Sequence, residues 1–186
     1  MVGPDPLVPL LPELAARTRP RHGTMVRAMS VHRWRDPLAE TKTSWPRNRF
    51  NKDDGAHMLY LGNDFLTCAH ESLVTLVPTR IVAFAPVEYR LQAVLDLTSP
   101  TIQTVLQTDD VELSANFRCF VKSDPPTPTQ ALGEALAASG RFDGILYASA
   151  AHPGGHCLAV ILDALEPLGG LLSVFDRKNG IDLHRP

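Results

Sequence analysis

Apolar residues fall along this chain in short runs separated by turn-forming residues. Thr24-Met25-Val26-Arg27-Ala28-Met29, following Gly23, and Met58-Leu59-Tyr60-Leu61 read as strands by length and residue type. Residues 81–86 and 91–97 read as two further strands. Gly144-Ile145-Leu146-Tyr147-Ala148-Ser149 is a buried strand that ends on a serine, and residues 157–163 and 171–175 complete the set. Helical spacing is weaker. Phe65, Ala69 and Leu73 fall near one face, with Asp64 placed to cap them. Ser99-Pro100 reads as a cap followed by proline at the first helical position, opening a helix over 101–107. Thr129 is placed to cap a helix over 130–139, which Gly140 stops.

Between these elements, two stretches lack a period. Residues 1–24 carry Pro4, Pro6, Pro9, Pro12 and Pro20. Proline at that density interrupts helices, so the segment reads as a surface arm with at most a short helix over 12–18, ahead of a single domain over 25–186. Residues 33–51 are polar and basic with Trp34, Trp45 and Phe50 interleaved, and read as a long loop whose tryptophans either close over a ligand or cap the core. Asp124 to Pro128 is a proline-rich turn. Strands and helices mix without a βαβ rhythm. That predicts an α+β fold with a mixed or antiparallel sheet flanked by helices.

Composition narrows the function classes. At 186 residues with 44% hydrophobic and 20% charged positions, the chain is one globular domain's worth of sequence. A net charge of -2 gives no electrostatic reason to expect nucleic acid or an anionic membrane as a partner. The first residues lack the basic-then-apolar pattern of a signal peptide, and Cys68, Cys119 and Cys157 form no CxxC, which together predict a reduced, cytoplasmic setting. The cysteines read as small buried hydrophobes.

GxGxxG, GxxxxGK[ST] and GxSxG are all missing, so the common phosphate cradles and the nucleophile elbow are excluded. His152 and His156 are four apart, but Pro153-Gly154-Gly155 prevents a helix between them. They read as exposed loop histidines, and no metal is expected. Asp53-Asp54-Gly55 reads as a turn rather than a calcium loop, because the later glutamate is missing.

Five positions stand out: Arg27 in the first strand, Arg49 in Arg49-Phe50-Asn51, Tyr60 eleven residues later in a strand, Glu71 eleven further in Cys68-Ala69-His70-Glu71, and Ser149 at the end of its strand. With Val94-Leu95-Asp96-Leu97-Thr98 and the Asp143–Ser149 run, their order and spacing over roughly residues 23–163 resemble the RES family, named for its arginine, glutamate and serine. Arg33, in His32-Arg33-Trp34, competes with Arg27 for the family arginine. Arg27 is preferred because it follows Gly23-Thr24 in a strand-like run. Val26 stands where the family usually has an aromatic, and Ala150-Ala151-His152 stands where it often has an arginine.

The resemblance implies a fold similar to ADP-ribosylating toxins and NAD⁺ as substrate rather than cofactor, with inorganic phosphate as an optional co-substrate. It also implies a helical Xre-like antitoxin partner and leaves room for a homodimer. The activity implied is cleavage of the nicotinamide–ribose bond by hydrolysis or phosphorolysis. ADP-ribosyl transfer to a protein and a non-catalytic nucleotide-binding or interaction module are the alternatives. In this reading Glu71, Arg27 and Ser149 are catalytic, and Arg49, Tyr60 and Arg33 bind substrate. The residue types suit the task. Arginine forks grip a diphosphate, a tyrosine ring stacks on nicotinamide, and a carboxylate stabilises an oxocarbenium-like centre. Ser149 has no identifiable partner base, so it reads as a hydrogen-bonding hydroxyl and not a nucleophile.

Overall fold

A computed structural model describes residues 6–39, 48–52, 55–72, 81–114, 127–176, 178 and 180–186. Trp45, Leu73, Cys119, Asp53-Asp54 and residues 124–126 lie outside them. Seven strands form one mixed sheet: β1 Arg19–Ser30, β2 Met58–Gly62, β3 Val82–Asp96, β4 Gly144–Ala148, β5 His156–Ile161, β6 Leu171–Asp176 and β7 Ile181–Arg185. Their order is β1-β2-β5-β4-β3-β6-β7, and β1 also pairs with β3, so five strands close on themselves while β6 and β7 extend from β3. β3 runs parallel to β4, and the other pairs are antiparallel. Among the described residues six α-helices cover the sheet: α1 Leu11–Ala16, α2 Phe65–Glu71, α3 Pro100–Leu106, α4 Asp110–Ser114, α5 Pro128–Ser139 and α6 Leu165–Leu168.

Strand alternation sorts the apolar side chains into two cores. Met58, Ile145, Tyr147, Cys157, Ala159 and Ile161 point to one face, where they meet Leu14 of α1, Ile102 of α3 and Leu132 and Leu136 of α5. Leu59, Leu61, Leu158 and Val160 point to the other, where they meet Met25, Val87 and Leu91 of the closed strands and Leu172 and Val174 of β6.

Several boundaries differ from the sequence reading for identifiable reasons. Residues 81–97 form one strand rather than two. Glu88 and Arg90 resemble a turn, but they are the outward positions of an alternation whose inward positions are Val87 and Leu91. β1 starts at Arg19, and Leu14 just before it is fully buried, so the proline-rich stretch contributes to the core as well as to the surface. Helix α5 is capped by Thr127 rather than Thr129. Thr127 and Gln130 form a reciprocal capping box, which leaves Pro128 at the first helical position. β7 was not foreseen, because Ile181-Asp182-Leu183-His184-Arg185 is a short edge strand carrying three ionisable residues.

Candidate active site

Helix α2 is positioned by its first and last residues. Asp64 caps it, accepting from Thr67 N at 2.7 Å. Its middle presses onto β2 at Gly62, where a Cβ would stand 2.8 Å from Cys68 Sγ. Gly62 is also the residue at which β1 meets β2, opposite Val26, and Cys68 donates to the Val26 carbonyl. Burial pushes the Cys68 thiol up to about 11, so it is a packing residue and not a nucleophile.

This seating brings Glu71, the last residue of α2, to the loop that follows β4. Ser149 Oγ donates to Glu71 Oε1 at 2.7 Å. The same oxygen accepts from the backbone N–H groups of Ala151 (3.2 Å) and His152 (3.0 Å). The loop is drawn tight by Ser149 N donating to Gly155 O and Gly155 N donating to His152 O, both at 2.9 Å. Ser149 therefore both ties its own turn and holds a carboxylate. Its proton is given to Glu71 and its oxygen accepts from two amides, which fits an orienting hydroxyl.

Tyr147, two residues upstream, lies on the same face of β4 and is 5% exposed. Its phenol is held well above its ordinary range by burial first, and then by Cys157 and the Glu71 charge. The Arg49 guanidinium lies 5.5 Å from the Tyr147 ring centroid, donates to the Leu113 carbonyl and is 4% exposed. Phe50 packs edge-on against the same ring at 4.9 Å. Tyr60 Oη donates to Asn51 Oδ1 at 2.7 Å and accepts from Phe50 N at 3.2 Å, so this tyrosine fastens Arg49-Phe50-Asn51 to β2. Burial pushes its phenol up as well. The segment crosses α5 at Gly133, where an added Cβ would collide with the Phe50 carbonyl.

Glu71, Ser149, Arg49 and Tyr60 are thus gathered around Tyr147 on the helix-covered face. Arg27 is not. It shares its strand face with Met25, which belongs to the opposite core, and is 2% exposed. Its guanidinium donates to the carbonyls of Pro37 and Ala39 (the latter at 2.7 Å), and Arg185 donates to Leu38 between them. Desolvation, together with nearby Arg33, lowers the Arg27 pKa to about 10. Arg33 is exposed in the one-turn helix that follows β1. Trp34 packs on the edge of the second core, under the Arg35 guanidinium.

Three polar neighbours escaped the sequence reading. His152 is half-buried rather than an exposed loop residue: its Nδ1 lies 2.9 Å from Thr67 Oγ1, and its ring stacks on His70 with centroids 5.2 Å apart. Thr67 donates to Asn63 Oδ1 at 2.8 Å. The signal available was Gly154-Gly155, since a Cβ on Gly155 would sit 2.5 Å from Thr67 Oγ1 and hold the loop off the helix. Among the described residues no group of three or more His, Cys, Asp or Glu is placed to hold a metal. No helix of the described residues is long and apolar enough to cross a membrane.

The RES domain family model matches residues 24–176. The chain belongs to the RES domain family. No curated protein sequence matches it. Among solved structures, this RES domain is similar to the MbcT toxin in the M. tuberculosis MbcT–MbcA toxin–antitoxin complex, with a TM-score of 0.61 and 20% identity over 94% of this chain and 91% of the other. The fold expectation holds: a mixed sheet with helices against it.

Proposed function

We propose that this RES domain is a toxin that breaks the nicotinamide–ribose bond of NAD⁺ and is neutralised by an Xre-like antitoxin. The observation that carries the reading is the hydrogen bond from Ser149 to Glu71, which fixes one carboxylate at the end of α2 beside two tyrosines and a buried arginine. Cleaving the bond builds positive charge on C1′ and O4′ of the ribose. An oriented carboxylate stabilises that charge more strongly in the transition state than in the ground state. The departing nicotinamide leaves as a neutral base with the bonding electron pair, so no general acid is needed. That suits a site in which the Ser149 hydroxyl already spends its proton on Glu71. The Arg49 charge complements the diphosphate, and the half-buried Tyr60 ring is suited to the aromatic base. The partner is supported by the fold shared with a toxin bound to its antitoxin.

The test is nicotinamide release by purified protein, with and without phosphate. Wild type is expected to release nicotinamide, and Glu71→Gln to lose ~100-fold or more at unchanged thermal stability. A strict phosphate requirement would identify phosphorolysis. Label transferred from tagged NAD⁺ to a protein would replace consumption with ADP-ribosyl transfer. No release from folded, antitoxin-free wild type would refute the reading.

A further inference from the structure

The polar contacts beside Glu71 determine the tautomer of His152. Asn63 Oδ1 accepts from the His156 backbone N–H at 2.8 Å, while Asn63 Nδ2 donates to Asp64 Oδ2 at 3.0 Å, so the orientation of this amide is settled at both ends. An amide oxygen cannot donate. The Thr67 hydroxyl, 2.8 Å from it, must therefore give its proton to Asn63. Thr67 Oγ1 then has only lone pairs left for His152 Nδ1 at 2.9 Å, and the imidazole must carry its proton on Nδ1. In the neutral ring the basic lone pair is on Nε2, for which no described residue supplies a hydrogen-bond partner. Protonation at Nε2 leaves the Thr67 contact intact, so the ring can gain and lose a proton without moving.

The ring belongs to the same small assembly as the carboxylate. The His152 backbone N–H bonds Ser149 Oγ, which bonds Glu71. Its imidazole stacks on His70, the residue before Glu71. The ionisable groups against its ring are Asp64 at the cap of α2 and His70 on α2. Asp64 is close enough to His152 for opposite charges on the two to attract.

Resting on the proposed NAD⁺ cleavage, we infer that His152 Nε2 is the general base for the acceptor oxygen. As the C1′–N bond breaks with its electron pair going to nicotinamide, the acceptor, either water or a phosphate O–H, forms the new C1′–O bond. Its proton passes to Nε2, then to solvent. The sum for water is NAD⁺ plus H₂O giving ADP-ribose, nicotinamide and one proton. The division of labour is that Glu71 faces the cation while His152 takes the proton. This is the logic of a base whose tautomer is fixed by a third group.

Two measurements test it. In ¹⁵N NMR of the resting protein, His152 is expected as the Nδ1–H tautomer; an Nε2–H tautomer would overturn the inference whatever the activity. Nicotinamide release is then followed against pH for wild type, H152N and H152Q. Asn reproduces the Nδ1 donor to Thr67 but has no Nε2. The expectation is a ~100-fold fall in kcat, with KM within about threefold, and loss of the acid-side limb of the pH profile. If H152N keeps the wild-type rate and limb while H152Q fails, His152 only props the loop and the inference is wrong. If H152N keeps the rate while Glu71→Gln loses it, NAD⁺ cleavage stands and the base assignment falls. No release by wild type overturns both.

Discussion

Two polar clusters lie on opposite faces of this sheet, and they use their charges differently. On one face the Glu71 carboxylate is held by a serine hydroxyl, which is itself held by two amides of its own loop. On the other face the Arg27 guanidinium is bonded to the backbone of residues 37–39. The first arrangement orients a charge, and the second uses a charge to fasten a loop. In sequence, Glu71 matches the family's spacing, while Arg27 shares its claim with Arg33. Their hydrogen-bond partners differ in kind: a side-chain hydroxyl for Glu71, backbone carbonyls for Arg27.

The comparison can be broken most decisively at Arg27. Arg27→Met removes the donor from two carbonyls and is expected to cost about 2–4 kcal/mol, read as a Tm fall of roughly 5–15 °C, while nicotinamide release per folded molecule changes little. A large loss of release at unchanged Tm would put Arg27 in the site and erase the distinction. Gly133→Ala probes the seam under Arg49-Phe50-Asn51. Its methyl would force the Phe50 carbonyl off α5, at an expected cost of about 1–3 kcal/mol in thermal melts and with a raised KM for NAD⁺. A neutral outcome would mean that the segment does not depend on this approach. The mildest change is Ser149→Ala. Losing one charge-assisted bond to Glu71 is expected to lower kcat about tenfold with Tm within a few degrees. A fall as large as that of Glu71→Gln would make Ser149 a direct participant rather than an orienting group.

Much of this was legible in the sequence. Gly144–Ser149 announced a buried strand ending on a hydroxyl, and Asp64 announced the start of the helix that carries Glu71. The spacing from Arg49 to Tyr60 to Glu71 identified the family, though not the contact that Tyr60 Oη makes with Asn51. What could not be read was which face each residue serves. Arg27 and Val26 are neighbours, but alternation sends them to opposite sides, and the choice depends on whether α2 or the 37–39 loop covers each side. The His152–Thr67–Asn63 chain was equally hidden. It joins residues 89 positions apart in sequence order through a loop whose close approach depends on a glycine.

Strand β3 is shared by three neighbours. It pairs with β1 from Val82 to Val94, with β6 around Tyr89 and with β4 from Val94 to Asp96. Neither part of the sheet can dissolve without releasing it. Its central amides, from Val87 to Val94, should therefore exchange with deuterium only through global unfolding. The edge strand β7, paired only with β6 among the described residues, should exchange by local opening long before them.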